Sequence, residues 1–297
     1  LQTLAGITVL DLCSYLAGPY SAALLGDMGA NVIKIESPGG DMLRHYPSTL
    51  EGESRAFVGT NRNKRGIVID LKTSEGLAVC HKLVERADVV IQNFRPGVAG
   101  RLGLDYEALL ALNPRLVYAS FTGYGEDGPG ANNPGFDQVL QCMTGIAKAQ
   151  GYPGAEPKVV WGSVLDFYGA SMLAMGISAA LFNREKTGQP QKVETSLLAA
   201  SMALQAGRMV WAEHEDREVE RDLRGGAVSA IHPTREGFIY VQAQTPPFWK
   251  ALCELTGLSH LVSDPRYDDM RKRKTHEDEL VPQLRQALMA RTALEWE

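Results

Sequence analysis

The stretch ITVLDLCSYLAGPYSAALLGDMGANVIKI, Ile7–Ile35, decides the fold. Ile7–Leu12 and Asn31–Ile35 are apolar, β-branched runs, and Ser21–Met28 between them has helical spacing. Neither run alternates polar with apolar positions, so both read as strands buried on two faces, joined through a helix. The unit recurs downstream. Ile67–Asp70, Val89–Asn93 and Leu116–Phe121 read as further strands, with helices over Ser74–Glu85 and Tyr106–Leu112. As far as Gly123 the chain therefore predicts an open, Rossmann-like, doubly wound α/β domain with a parallel sheet.

Beyond Gly123 the glycines, prolines and asparagines up to Gly135 mark a loop. Helices are expected over Asp137–Ala149, over Asp166–Lys186 with Gly188 as C-cap, and from Leu197 towards Glu213, with a strand at Gln191–Thr195. A charged run closed by Gly225-Gly226 reads as a linker over 214–228. It separates a large α/β domain, 1–213, from a small α+β domain, 229–297, with a strand at Gly237–Ala243 and a helix at Pro247–Leu255. Thr292–Glu297 resembles the opening turn of an unfinished helix and no initiator Met is present, so the chain is expected to be truncated.

Composition narrows the function. A net charge of −5 offers no electrostatic footprint for nucleic acid. The longest uncharged apolar stretch, Phe167–Phe182, is rich in small residues and bounded by Asp166 and Arg184, so a buried helix is expected and no membrane association. Leu1–Leu12 has neither a basic flank nor a cleavage site, which points to a cytoplasmic address. Cys13, Cys80, Cys142 and Cys253 are widely spaced, and the histidines show no ligand spacing; no metal and no cofactor is expected.

Gly123-Tyr124-Gly125-Glu126-Asp127-Gly128 matches G-x-G-x-x-G after a strand. A dinucleotide site needs its third glycine inside a helix that receives the pyrophosphate, and Pro129-Gly130 precludes that helix. Asp166, in Trp161-Gly162-Ser163-Val164-Leu165-Asp166, stands at the mouth of the long apolar helix. On pattern alone it reads as a helix cap, Ser163-x-x-Asp166 fitting a capping box loosely. Arg62, Lys64 and Arg65 lie before the strand at Ile67, Lys72 lies after it, and Asn93, Phe94 and Arg101 follow the next strand. Singly, each cation reads as a surface charge.

Together the motifs say more. Val9-Leu10-Asp11-Leu12 with Ala17-Gly18-Pro19, Leu25–Glu36, Asn63-Lys64-Arg65-Gly66, Asp70-Leu71-Lys72-Thr73, Asn93-Phe94-Arg95-Pro96-Gly97, Asn113-Pro114-Arg115-Leu116 and Arg184–Gly188 follow the order found in one family. Nearly the whole chain resembles the family III CoA-transferases, which include formyl-CoA:oxalate and carnitine CoA-transferases, with α-methylacyl-CoA racemases as a side branch. The resemblance implies that Asp166 is a nucleophile passing through an anhydride and an aspartyl-CoA thioester, ionised at its ordinary pKa. It implies a CoA nucleotide on Lys72, Asn93, Phe94 and Arg101, acyl-CoA and carboxylic acid substrates, and an interlocked homodimer. Phe136 stands where the racemases carry His, so the Phe136-Asp137 pair fits the transferases and is expected beside the substrate. Leu16 replaces a polar Gln of the formyl-CoA branch, and Ser37 replaces a phosphate-binding Arg, leaving Arg44 or Arg65 as substitutes. Tyr15 and Leu16 imply a larger or more apolar acyl group. An acyl-CoA racemase or epimerase, and a silent CoA-binding homologue, are the alternatives.

Overall fold

The computed structural model describes residues 2–150, 156–215 and 228–297. The chain divides into two compact units, Leu1–Glu213 and His214–Glu297.

In the first unit, strands β1 (Thr8–Asp11), β2 (Asn31–Glu36), β3 (Lys64–Val68), β4 (Val89–Gln92), β5 (Val117–Thr122) and β6 (Gln191–Ser196) form one sheet in the order β3-β2-β1-β4-β5-β6. Every neighbouring pair is parallel, as the apolar runs predict. The helices are α1 (Ala17–Asp27), α2 (Arg55–Thr60), α3 (Ser74–Val84), α4 (Val98–Arg101), α5 (Tyr106–Leu112), α6 (Asp137–Met143), α7 (Val164–Thr187), α8 (Leu197–Leu204) and α9 (Ala206–Met209). One sheet face packs Val9, Val89, Ile91 and Phe121 against Leu25 of α1 and Leu165, Leu173 and Ile177 of α7. The other packs Leu10, Val90 and Tyr118 against Cys80 and Val84 of α3 and Leu109 of α5. Alternate residues of one strand thus feed both cores, which is why the strands are apolar throughout. By length and composition α7 could cross a membrane; here its inward face, Leu165, Leu173, Ile177 and Leu181, is buried in protein.

Several boundaries differ from the sequence expectation; α1, for one, begins at Ala17 and not at Ser21. The strand expected at Ile67–Asp70 is β3, Lys64–Val68, so Lys64 and Arg65 lie inside it. At the sheet edge a strand need not be apolar. The helix expected over Asp137–Ala149 ends at Met143, just before Gly145 at φ 82°. The helix expected from Leu197 to Glu213 ends at Leu204, and α9 follows it only to Met209. The expected linker over 214–228, with Gly225-Gly226, lies outside the described residues except at its ends.

The second unit pairs β7 (Ile231–Pro233) with β8 (Phe238–Tyr240) in antiparallel fashion. Its helices are α10 (Pro246–Leu255), α11 (Met270–Thr275), α12 (Glu277–Leu288) and α13 (Ala293–Trp296), which opens with a Thr292–Glu295 capping box. Trp249, Cys253, Tyr267, Leu280 and Leu284 form a core of its own.

Candidate active site

The sheet order places a switch between β1 and β4, where the following loops leave in opposite directions and open a crevice at the strand C-terminal ends. Asn93 bridges it: its Oδ1 accepts from Ser14 N at 3.0 Å and its Nδ2 donates to Ser14 O at 2.7 Å. Asn93 is thereby committed to backbone, holding the turn that carries Tyr15 and Leu16. Tyr15 has φ 66°, a left-handed conformation that side chains disfavour, and its N–H donates to Asp41 Oδ1 at 3.1 Å. Leu16 follows at the head of α1.

Beneath this turn lies a cluster of buried charge. Asp11 is wholly buried, and its Oδ2 is 2.8 Å from Lys64 Nζ and 3.8 Å from Lys34 Nζ. Lys34 Nζ also donates to Cys13 O at 2.8 Å and lies 2.9 Å from Asp41 Oδ2. Burial pushes the Asp11 carboxyl up, but Lys64 and Lys34 outweigh it and hold the group below its ordinary range. For Lys34, burial is likewise overcome by Asp11 and Asp41, so its amine stays more basic than usual.

Across the crevice α7 begins beside α1. Tyr20 of α1 meets Phe167 edge-on, with ring centroids 4.8 Å apart, so the two helix heads are neighbours. Gly169 lets α7 sit on the sheet, since a Cβ there would be 2.7 Å from the Phe121 ring. Its first turn is capped from outside. Asp137, only 2% exposed, accepts from Leu165 N at 2.6 Å and from Asp166 N at 3.1 Å through one oxygen, and from the Gln141 amide through the other. Ser163, expected as the cap, is itself left-handed at φ 54° and makes no side-chain cap bond. Asp137 reaches this place because Gly123 and Gly135 touch: a Cβ on Gly135 would come 2.5 Å from Gly123 Cα. That contact closes the glycine-rich loop and returns the chain to the end of β5.

With Asp137 filling the helix end, the Asp166 carboxylate has no hydrogen bond or ion pair among the described residues. Burial, and then the Asp137 charge, push its pKa up to about 7. The sequence expectation of an ordinary, fully ionised aspartate is therefore corrected: a half-buried carboxyl beside a second one is costly to charge.

The remaining predicted residues scatter. Phe136 is 56% exposed, directly before α6. Lys72 follows β3 and Arg101 ends α4; both are exposed, and neither side chain is bonded among the described residues. Phe94 packs partly buried on the second core, its N–H donating to Gln92 Oε1 at 2.7 Å. Arg44 is engaged by Glu36 through two contacts of 2.8 Å and stacks 3.7 Å over Phe57. Arg65 donates to Asn31 Oδ1 at 2.8 Å, at the opening residue of β2 and away from the strand C-terminal ends. Sequence reasoning missed Asp11, Lys34, Asp41 and Gln141. The signal for the first two was present: a charge among the apolar residues of each of the strands β1 and β2. No cluster of His, Cys, Asp and Glu suited to a metal occurs among the described residues.

An open parallel sheet with a switch-point crevice at its strand C-terminal ends is the architecture of proteins that bind phosphorylated ligands. The model described as "CoA-transferase family III" matches residues 4–297, and the chain belongs to that family. The acetyl-CoA:oxalate CoA-transferase of Acetobacter aceti is 38% identical, over 98% of this chain and 76% of that protein. The succinate–glutarate CoA-transferase of Agrobacterium fabrum is 36% identical, over 93% of this chain and 72% of that protein. A crystal structure of Rv3272 from Mycobacterium tuberculosis superposes with a TM-score of 0.89 at 33% identity, covering 100% of this chain and 80% of that one. The protein is accordingly an enzyme that transfers coenzyme A between an acyl-CoA and a carboxylic acid.

Proposed function

We propose that the transfer runs through Asp166. The observation that carries this reading is the division of labour between two carboxylates: Asp137 satisfies the amides of the α7 head, and Asp166, on that head, is left without a partner. Ionised Asp166 attacks the thioester carbonyl and CoA thiolate leaves, giving a mixed anhydride. The thiolate then attacks the aspartyl carbonyl carbon, releasing the donor acid and forming an aspartyl-CoA thioester. The acceptor carboxylate reverses both steps, and Asp166 is regenerated with no net consumption of water. The anhydride must be kept dry, which suits a carboxyl recessed in a crevice. Lys72 and Arg101 would hold the CoA phosphates, with Asn93 and Phe94 shaping the wall beside them. Tyr15 and Leu16 favour an acyl group larger or more apolar than formyl or oxalyl. A homodimer in the cytoplasm completes the reading.

The test is incubation with acyl-CoA in the absence of acceptor, followed by hydroxylamine. A hydroxamate located by mass at Asp166, absent in Asp166→Ala, is the expected result. Solvent deuterium at the acyl α-carbon without an adduct would instead mean a racemase, and CoA binding with neither would mean a silent homologue. Sedimentation of the full chain checks the dimer.

A further inference from the structure

The turn Cys13–Tyr15 is held at five of its six backbone polar groups by a buried side chain or by Asn93. Cys13 N donates to Asp11 Oδ1 at 3.0 Å, Cys13 O accepts from Lys34, Ser14 is bracketed by Asn93, and Tyr15 N donates to Asp41. A strained, non-glycine left-handed residue persists only where its surroundings over-determine it, and Tyr15 is such a residue. Lys34 stands at the centre: 2% exposed, it joins Cys13 O to Asp41, whose other oxygen holds Tyr15 N and Leu43 N. An uncharged strand residue would have given the same core at lower desolvation cost. What the charge adds is a fixed position for the turn leading into α1, whose first turn packs on Phe167 next to Asp166.

We propose that Lys34 and Asp41 are positioning residues for the transfer, locking Tyr15 and Leu16 against the head of α7. The inference rests on the reading of Asp166 as nucleophile. Two variants of the full chain test it, Lys34→Met and Asp41→Ala, with Asp41→Asn as the rescue. In Asp41→Asn the amide oxygen still accepts from Tyr15 N. The readouts are the single-turnover rate of the hydroxylamine-trapped adduct, corrected for folded fraction by circular dichroism, and the dissociation constant of CoA by calorimetry.

Lys34→Met and Asp41→Ala should slow adduct formation about 10–100-fold, the effect of displacing a wall by a fraction of an ångström to an ångström. CoA affinity should stay within about threefold, and Asp41→Asn should recover part of the rate, since its oxygen keeps Tyr15 N while its NH2 cannot pair with Lys34. Amide hydrogen exchange at Ser14–Leu16 should quicken in the two slow variants alone. If Lys34→Met fails to fold, the Asp41 pair decides. Wild-type adduct rates in folded Asp41→Ala, or no recovery in Asp41→Asn, overturn the positioning role. So does a rate loss matched by an equal loss of CoA affinity. A wild-type protein that forms no adduct overturns the nucleophile reading and the positioning role with it, a result distinct from equal adduct rates in all variants.

Discussion

Asp166 and Asp137 are two carboxyls at one helix end with opposite tasks, and pH separates them. Because burial and Asp137 raise Asp166 to about 7, the carboxylate that we propose as nucleophile forms only as pH climbs through that region. The kcat/KM profile should therefore fall on its acid side near pH 7. Asp137→Asn keeps an oxygen for the helix amides but removes the charge, and should move that limb down by about one unit. Stability follows the opposite course. A folded-state pKa above the unfolded value of 3.8 means that the contribution of Asp166 to stability is fully present below that value and is lost as pH rises through about 7. Asp166→Asn should thus melt above the wild type at pH 8, by about 2–4 °C, the shift that ~1 kcal/mol makes in a domain of this size. The gap should close as pH falls towards 4.

At the level of elements, α7 carries the proposed nucleophile and its seat on the sheet is set by Gly169. Gly169→Val, with side-chain atoms inside the Phe121 ring, should cost about 1–3 kcal/mol in urea unfolding and lower the adduct rate as well, since the residue is one turn from Asp166. How much of this was legible in the sequence follows from what each residue contacts. The apolar strands and the long helix were readable because burial on two faces leaves a continuous pattern. The proposal of Asp166 as nucleophile comes from resemblance, not from its own neighbours in sequence, which suit a cap. The true cap, Asp137, could not be found: it lies 29 positions away and meets the helix only after the chain has looped back. β3 was misplaced because its first residue is a lysine whose amine is buried on Asp11, and no local pattern distinguishes that from a surface lysine. Lys34 stands out as a charge between two isoleucines of β2, but the pattern does not show that its amine meets Asp11, Asp41 and Cys13 O.

For the molecule as a whole, the net charge of −5 must be reconciled with an anionic substrate. We propose that the reconciliation is local, through Lys72 after β3 and Arg101 at the end of α4, neither of which has an acidic partner among the described residues. Lys72→Gln with Arg101→Gln should weaken CoA binding about tenfold and flatten its dependence on salt, leaving the melting temperature unchanged because both side chains are exposed. The Gly123–Gly135 contact has a wider consequence. It acts as a drawstring: the segment it gathers tolerates added length at its tip, while the proposed catalytic end of the molecule registers nothing. Extra glycine and serine residues spliced after Gly128 should be silent in folding and turnover, whereas one methyl group at Gly135 should loosen the purse and carry Asp137 with it.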